Sequence, residues 1–326
     1  MFKVLLSACV VFFSVTVSAP LAADENVRAV WQEPDLQDPD IYSIFATDDA
    51  QIAVQKNQDA PLYFSNDKPI EVALAYDQDA VFLLPDQILD IVSLRIHHGR
   101  SVVVRGGHLR GVAPANKTVR GLLWAGGTRG SLHVENMILD TNFQDGLDAL
   151  LVGGYGNQNI ESYPNIYVRN VMMTGVENSD GNPFHADCFQ YYGPTNLTYM
   201  DGVDCETNTQ GFFLAPQHPI GRISLNRVSI SYINPERANG YALYLKDKED
   251  DARTPISFDQ VYVGRRDTDF GYGHDGKWDV YSIFPHALMK HGARRENKHV
   301  TFPFFPEING SVILYAGEEF FDPIPE

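Results

Sequence analysis

A repeated alternation of apolar and polar residues runs through most of the chain. In each copy an apolar-x-apolar triplet is followed by two or three residues, often including Asn or Gly, and then by a second apolar-x-apolar triplet. Because side chains alternate between the two faces of a strand, these triplets predict half-buried strands. The copies begin, at intervals of 26 to 34 residues, at Val102, Leu132, Ile166, Leu197, Ile223 and Ile256.

A second kind of triplet lies between successive copies of the first. Its copies begin at Leu122, Leu150, Phe189, Phe212, Leu243 and Tyr281. Two kinds of strand that alternate at variable intervals predict a stack of coils in which equivalent strands lie side by side. No helical periodicity separates them, which argues against a doubly wound α/β sheet, since that fold needs crossover helices. A propeller or a sandwich also has short regular strands, but the alternation favours the stack.

Over roughly residues 86–315 the chain resembles the pectin-lyase-like superfamily of right-handed parallel β-helices. The resemblance rests on coils of the Asn-x-x-Val-x-Ile type, such as the one that runs from Ile166 to Met173. It implies an all-β chain with a single-stranded right-handed parallel β-helix, a solenoid, over residues 86–326. Residues 24–85 are then expected to form an N-terminal cap over the open end of the core. Strands within this cap are expected at 40–46, 70–75 and 80–84.

The amino terminus has the pattern of a signal peptide. Lys3 precedes an apolar run from Val4 to Val17, which small residues follow up to Ala23. This arrangement predicts a signal peptide over residues 1–23 rather than a membrane span. We therefore expect a periplasmic or secreted protein without membrane insertion.

The charge of the chain narrows its expected partners. A formal net charge of −17 disfavours nucleic acid and anionic membranes. An acidic surface also repels an acidic polysaccharide, so such a substrate would need a local basic patch. The basic segment 286–299, which contains Arg294 and Arg295, is one candidate, although a run of this kind is more often a solvated loop. Cys188 and Cys205 remain after signal removal, and both a disulfide and two free thiols are compatible with the sequence.

Stacking predicts which polar residues become neighbours, since equivalent residues of adjacent coils lie about 4.8 Å apart. Beside the predicted column, Tyr192 is flanked by the small residues Gly153 and Ala215, which leaves room for a ligand. Lys246 lies two coils from Tyr192, at roughly 10 Å, so a sugar ring would fit between them. The column itself comprises Arg120, Asp148, Asp187, Gln210, Tyr241 and Asp279.

The densest motif is the stretch from His185 to Tyr192. It is similar to the Asn-x-Asp-Gly-x-Asp strand of polygalacturonase-type glycosidases, with Asp187 at the first acid and Gln190 at the position of the second. The next coil offers the amide of Gln210 where that family has a further carboxylate. Because an amide cannot exchange a proton as a carboxyl group does, the family's hydrolytic mechanism does not carry over directly.

The same residues suit β-elimination from a uronate, which needs donors to the sugar carboxylate and a base for the C5 proton. His185, Gln190 and Gln210 are candidate donors. Tyr192, Lys246 or His185 is the candidate base or acid. We therefore expect a polysaccharide lyase that acts on an acidic polysaccharide or oligosaccharide as a monomer and without a cofactor. Further substrate contacts are expected from Asp148, Tyr244, Arg294 and Arg295.

Four alternatives remain open. Asp148 and Asp187, about 5 Å apart in adjacent coils, fit the acid pair of a retaining glycoside hydrolase. The same pair, or the acidic residues between Asp247 and Asp251, would suit a calcium ion, although the latter are more often surface charge. A non-catalytic β-helix that binds glycan is the third alternative. A hydrogen-bonded pair that only caps a turn would explain His185 and Asp187 equally well.

Overall fold

The computed structural model describes residues 29–47, 51–113, 120–153, 163–179, 185–214, 222–236, 238, 240–245, 256–264, 283–284, 294–295 and 300–301. Only the backbone is described for Leu245, Ile256 and the last three ranges. Across this part of the chain the structure is all-β, with 22 strands in three sheets and no helix. The expected absence of helices between the strands is therefore confirmed for these residues. They also contain no helix that is long and apolar enough to cross a membrane.

The first sheet has twelve strands. Ten of them form its main path, and β6 and β9 lie alongside, with β9 also paired to β11. Pairing is parallel throughout, except that β2 runs antiparallel to both β1 and β3. The strands are β1 (Asp40–Ala46), β2 (Gln51–Lys56), β3 (Leu62–Ser65), β5 (Ala80–Leu83), β6 (Ile88–Ile91), β8 (Ser101–Arg105), β9 (His108–Gly111), β11 (Ser131–Asp140), β13 (Asn165–Val176), β15 (Leu197–Thr207), β17 (Arg222–Tyr232) and β19 (Ile256–Val263).

The second sheet has eight strands, and all of them are parallel. From β10 onward its strands alternate along the chain with the strands of the first sheet. A third sheet is a short antiparallel pair, β21 (Arg294–Arg295) and β22 (Val300–Thr301). The strands of the second sheet are β4 (Ile70–Ala73), β7 (Leu94–His97), β10 (Gly121–Gly126), β12 (Asp148–Gly153), β14 (Asp187–Tyr192), β16 (Gln210–Leu214), β18 (Leu243–Leu245) and β20 (Ile283–Phe284).

The observed register confirms most of the predicted alignment. In the first sheet, Leu132 pairs with both Val102 and Ile166. In the second sheet, Phe189 pairs with Leu150 and Phe212. Parallel pairing of this kind excludes the antiparallel sandwich for the described residues.

The predicted register is wrong by one residue at Leu197. Thr198, and not Leu197, lies opposite Ile166, because Thr198 is fully buried whereas Leu197 is only half-buried. The branched threonine side chain takes an inward position that the pattern assigned to leucine.

Two further alignments in the second sheet also need correction. Leu123, and not Leu122, pairs with Leu150. Both leucines are fully buried, so alternation alone could not choose between them. Ile283, and not Tyr281, pairs with Leu243, a shift of two residues that preserves the alternating pattern and is therefore invisible to it.

A column of left-handed residues bends the long strands of the first sheet. Asn136 and Asn170 have φ of 52° and 51°, a conformation that asparagine tolerates better than most residues. The Asn170 Nδ2 donates to Asn136 Oδ1 at 3.0 Å, which links two neighbouring bends. These positions explain the Asn and Gly residues inside the repeated pattern. The positive-φ residues of the column are Gly106, Asn136, Asn170, Gly202, Arg227 and Gln260.

Inward-facing side chains of both large sheets form one hydrophobic core. Val168 and Leu225 of the first sheet and Phe189 of the second belong to it and are fully buried. Cys188 of β14 and Cys205 of β15 also lie in this core and form a disulfide. The sequence left this pairing open, and the structure shows that the bridge connects the two sheets.

The N-terminal segment covers part of the outer face of the first sheet. The Trp31 ring packs edge-on against His133 and Tyr167, with centroids 5.3 Å and 5.7 Å away. Tyr167 donates its hydroxyl proton to Gln32 Oε1 at 2.9 Å, and the Arg169 guanidinium lies 5.0 Å from the Trp31 ring centre. This face is therefore closed to large ligands where Trp31 sits.

Strands β1, β4 and β5 lie at the three places where strands were expected in the N-terminal region. The division into a cap over residues 24–85 and a β-helix from residue 86 stays a prediction. The predicted signal peptide, residues 1–23, lies outside the described residues.

Candidate active site

The outer face of the second sheet carries two columns of side chains. Alternation places Leu150 and Val152 in the core, so that Leu151 between them points outward. Register then puts Gln190 next to Leu151, and Phe213 next to Gln190. The second column has Tyr192 beside Gly153. We call each level of this stack of strands a rung.

Asp148 and Asp187, the acid pair, begin strands β12 and β14. The residues that follow them, Ala149 and Cys188, belong to the core, so the chain bends between each aspartate and the rest of its strand. This bend brings both carboxyl groups to the same side as Gln190. The acid pair is nonetheless almost completely shielded, with 2% of Asp148 and 0% of Asp187 exposed.

The acid pair is held together by direct hydrogen bonds. The backbone N–H of Asp187 donates to Asp148 Oδ1 at 2.9 Å. In the orientation that satisfies both ends of the Gln190 amide, its nitrogen donates to Asp148 Oδ2 at 2.9 Å and to Asp187 Oδ2 at 3.1 Å. Its oxygen then accepts from the Tyr192 hydroxyl at 2.6 Å. Gln190 therefore connects the buried acids to Tyr192.

Burial changes the protonation of the acid pair. It raises the pKa of Asp148 well above the usual value, and the neighbouring Asp187 raises it further. Burial likewise raises the pKa of Asp187, while Arg120 opposes this rise. Two shielded carboxyl groups bonded to one amide nitrogen cannot both ionise without strong repulsion, so the pair retains a proton at neutral pH.

His185 contacts the acid pair from the more exposed side. Its Nδ1 lies 2.8 Å from Asp187 Oδ2, and 38% of its side chain remains exposed. Burial lowers the pKa of His185 below its usual value of 6.5, so the ring is uncharged at neutral pH. When Nδ1–H donates to Asp187, the Nε2 lone pair is the one left to accept a proton. This arrangement suits a general base.

Tyr192 forms the other accessible end of the same network. The Arg120 Nη1 donates to the Tyr192 hydroxyl oxygen at 3.2 Å. Burial raises the pKa of Tyr192, and Arg120 acts in the opposite direction. The hydroxyl group therefore carries its proton at neutral pH and lies beside a cation that would stabilise the phenolate. Tyr192 suits a general acid.

An aromatic stack continues from His185 toward the carboxyl end of the chain. The His185 and Phe213 ring centres are 5.0 Å apart. Phe213 and Tyr244 stack at 4.9 Å, and Tyr241 and Tyr244 stack at 5.2 Å. Sugar rings pack readily on amphipathic surfaces of this kind, which present an apolar ring face together with a hydroxyl group.

The structure brings together most of the residues that the sequence singled out. His185, Asp187, Gln190, Tyr192 and Asp148 form one connected network. Two other predicted contacts lie beside it. Gln210 pairs with Asp187 in register, and its buried Oε1 has no partner among the described residues. Tyr244 pairs with Phe213.

Three predicted site residues stay untested. Lys246 lies outside the described residues, and so does Ala215, so the predicted sugar-sized gap between Tyr192 and Lys246 remains a prediction. Arg294 and Arg295 form β21, but only their backbone is described. Their role in attracting a glycan also stays a prediction.

Arg120 is the site residue that sequence reasoning missed. The sequence places it in the polar column without a role in binding or catalysis, whereas in the observed register Gly121, and not Arg120, lies opposite Asp148. The Arg120 carbonyl accepts the backbone N–H of Asp148 at 2.7 Å, which places Arg120 directly beside the acid pair. A lone arginine in a column of acids and amides within an acidic protein was the signal that could have identified it.

The described residues contain no group of three or more His, Cys, Asp or Glu side chains arranged to hold a metal ion. The suggestion of calcium stays a prediction, because the acidic residues between Asp247 and Asp251 lie outside this part of the chain.

No family model, curated protein or solved structure matches the chain. Its function must therefore be argued from the site itself.

Proposed function

We propose that this protein is an exported lyase that cleaves a uronate-containing polysaccharide by β-elimination on the outer face of the second sheet. The observation that carries the proposal is a base and an acid joined by one buried network. His185 is bonded to Asp187 at 2.8 Å, and Tyr192 contacts both Gln190 and Arg120. Elimination from a uronate needs such a base, such an acid and a cation near the sugar carboxylate.

The fold that we propose for this enzyme is a right-handed parallel β-helix of the pectin-lyase-like kind. Its support is the alternation of strands between two parallel sheets and the in-register pairing of successive repeats. In such a fold, residues tens of positions apart in sequence meet on one face, as Asp148 and Asp187 do. The outer face then offers a long surface on which a linear glycan can lie.

In the proposed reaction His185 Nε2 removes the proton from C5 of the uronate. The electron pair of the broken C–H bond forms the C4–C5 double bond, and the C4–O4 bond to the departing sugar breaks. Tyr192 donates its hydroxyl proton to O4, and Arg120 stabilises the resulting phenolate and the negative charge that develops on the sugar carboxylate. Proton exchange with water restores both residues.

The acid pair and Gln190 act by positioning in this mechanism. Asp187 orients the His185 ring and stabilises the positive charge that the ring acquires when it takes the C5 proton. The proton retained by the acid pair limits the buried negative charge. Gln190 is only 1% exposed, so its amide serves the network and not the substrate.

Burial of the acid pair also favours elimination over the hydrolase alternative. A glycosidase nucleophile must reach the anomeric carbon of its substrate. Asp148 and Asp187, at 2% and 0% exposure, are shielded from any ligand on this face.

Export is supported by two independent features. The N-terminal sequence has the pattern of a signal peptide. The Cys188–Cys205 disulfide is of the kind that persists in oxidising compartments such as the periplasm or the extracellular space.

A panel of acidic polysaccharides tests the proposed reaction. The protein is incubated with polygalacturonate, alginate and glucuronate-containing glycans, and ultraviolet absorbance and reducing ends are measured together. Growth of both signals is expected, because elimination leaves an unsaturated sugar at each new non-reducing end. Reducing ends without absorbance would instead establish hydrolysis. Binding without either signal would establish a non-catalytic glycan-binding protein.

Tyr192→Phe tests the assigned acid within the same assay. Turnover is expected to fall by about 10²-fold or more, because the leaving oxygen loses its proton donor. Tyr63→Phe, at an exposed position in β3, is the matched control and should retain full turnover. Equal turnover in the two variants would remove Tyr192 from the mechanism.

A further inference from the structure

A second group of polar and aromatic side chains lies on the same outer face, toward its amino-terminal end. Register places Trp124 beside Leu151, and Arg95 beside Trp124. Since Leu151 is next to Gln190, Arg95 is three rungs from Gln190, or about 14 Å. His97 occupies the same level of the second column as Arg95 does of the first.

These side chains form a compact cluster, which we call the Arg95 cluster (Arg95, His97 and Trp124). The Arg95 guanidinium lies 5.1 Å from the Trp124 ring centre, and the His97 ring centre is 5.8 Å from that of Trp124. Arg95 Nη1 also donates to Glu71 Oε1 at 2.8 Å. Only 16% of the Arg95 side chain is exposed, against 54% for Glu71, so the guanidinium is fixed in place rather than freely solvated.

A further cation lies near the cluster. His98, the residue after His97, packs its ring 4.3 Å from the Tyr76 ring. The exposed Arg129 guanidinium lies 4.1 Å from the centre of that same ring. In a chain with a net charge of −17, the Arg95 and Arg129 guanidinium groups could attract an anionic ligand to this region.

Between the Arg95 cluster and Tyr192, the second column of the outer face has no projecting side chains. In the second column, the two positions that separate His97 from Tyr192 are Gly126 and Gly153. A Cβ at Gly126 would come within 2.5 Å of the Gly153 carbonyl oxygen, and one at Gly153 within 2.3 Å of the Tyr192 backbone carbonyl oxygen. Any larger residue is therefore excluded, and this part of the face has a backbone floor.

The two ends of the face differ in charge. Toward the carboxyl end of the chain, the described neighbours of Gln190 are the aromatic Phe213 and Tyr244. Toward the amino end of the chain, the first column leads from Gln190 to Arg95, and Arg129 lies near the Arg95 cluster. Among the residues whose side chains are described, Arg95 and Arg129 would attract a polyanionic chain on the amino-terminal side of this face.

We propose that the Arg95 cluster is a remote subsite that binds a carboxylate-bearing sugar of the substrate, about three rungs from the bond that is cleaved. The inference rests on the proposed function of the His185 site and extends it. It makes the enzyme selective for substrates whose acidic sugars lie over the amino-terminal strands of the second sheet, on one side of that bond. Arg95 supplies the charge, and Trp124 supplies the stacking surface.

Direct binding tests the subsite without catalysis. Trp31→Phe and Trp278→Phe in a His185→Ala background leave Trp124 as the sole tryptophan of the chain. Its fluorescence is titrated with hexasaccharides of galacturonate and of alginate, and with the same hexasaccharides after reduction of their carboxyl groups. An acidic hexasaccharide should change the signal at concentrations at least tenfold below those of its neutral form. Equal responses to both forms, or none to either, would overturn the subsite.

Steady-state kinetics provides the second test. Arg95→Met keeps the aliphatic stem but removes the charge, and we expect it to raise KM for an acidic hexasaccharide about tenfold while kcat changes by less than about twofold. Arg110→Met is the matched control, since Arg110 forms a comparable ion pair with Asp90 on the first sheet.

The two proposals can fail separately. Cleavage with an unchanged KM in Arg95→Met would overturn the subsite and leave the lyase intact. A selective Trp124 response in the single-tryptophan protein, together with a wild type that cleaves no member of the panel, would overturn the lyase and leave the subsite intact.

Discussion

Each of the two large sheets carries a His-x-acid pair on its outer face, and the two pairs differ in almost every physical respect. On the first sheet, His133 Nδ1 is 3.9 Å from Glu135 Oε1, beyond hydrogen-bonding distance, and His133 is 1% exposed. On the second sheet, His185 Nδ1 is 2.8 Å from Asp187 Oδ2, and its side chain is 38% exposed. The same short motif is therefore closed in one place and accessible in the other.

The surroundings of each pair explain the difference. Trp31 and Tyr167 enclose His133, and Arg105 takes the second oxygen of Glu135 at 2.9 Å. Burial lowers the pKa of His133 to about 4, so its ring stays uncharged across the neutral range. A candidate base is therefore a histidine that is accessible to solvent and hydrogen-bonded to a carboxylate, and the residue types alone do not identify it.

The largest expected effect is on turnover. His185→Ala should lower kcat by about 10² to 10⁴-fold, the usual contribution of a general base. His133→Ala should leave kcat within about twofold, because His133 is covered and does not contact the substrate. Both variants are assayed for unsaturated products at a temperature where circular dichroism shows them folded. Comparable losses in the two variants would break the contrast between the faces.

The next effect concerns stability. Tyr167→Ala should lower the free energy of unfolding by about 3–5 kcal/mol, because it removes a buried aromatic ring that packs against His133 and Trp31. Tyr192→Phe, on the accessible face, keeps its ring and should cost less, about 1–3 kcal/mol, the value of its hydrogen bonds to Gln190 and Arg120. Urea unfolding followed by tryptophan fluorescence measures both. A larger loss for Tyr192→Phe would show that the second face is the more structural one.

Because His133 is buried, we expect the protein to lose stability in acid. An unfolded His133 binds a proton below pH 6.5, whereas the folded one does so only near pH 4. The free energy of unfolding therefore falls as the pH drops from 6.5 to 4, by about 3 kcal/mol for this one group. His133→Gln should remove that part of the slope, as measured by urea unfolding at a series of pH values. An unchanged slope would mean that His133 is protonated without opening the cover.

The acid pair predicts an effect of opposite sign. Because the pKa of Asp148 is raised in the folded state, folding favours its protonated form, and that contribution is lost as the pH rises through the raised pKa. Asp148→Asn is always uncharged, and its amide oxygen can still accept the backbone N–H of Asp187. Its stability relative to the wild type should therefore increase with pH, as seen in melting temperatures between pH 5 and pH 9. A constant difference would argue that Asp148 is ionised in the folded chain as it is in the unfolded one, so that its pKa is not raised.

Much of the fold was predictable because strand alternation is a local property. Leu132, Ile166 and Phe189 revealed their register through spacing alone, and that register brought Asp148 next to Asp187. The errors arose where the pattern carries no information. Two adjacent leucines at 122 and 123 are both buried, so alternation could not choose between them.

The candidate site was less predictable because it depends on backbone bends and on the packing of residues that are distant in sequence. Asp148 and Asp187 share the strand phase of buried residues, so they can face outward only if the chain bends beside them, and alternation cannot show whether it does. The bend at Ala149 and Cys188 turns the acid pair outward yet leaves it shielded. Alternation also gave no sign that Trp31 would cover His133, since more than 100 residues separate them in the chain. Contacts of this kind follow from tertiary packing, and no local pattern records them.

The Cys188–Cys205 disulfide has a practical consequence for recombinant expression. It connects Cys188, the residue directly after Asp187, to Cys205 of the first sheet, so it restrains the backbone that positions His185. A host cytoplasm rich in glutathione would keep both thiols reduced and yield a protein without this cross-link. Kinetic comparisons between variants are meaningful only for material made in an oxidising compartment and checked for free thiols.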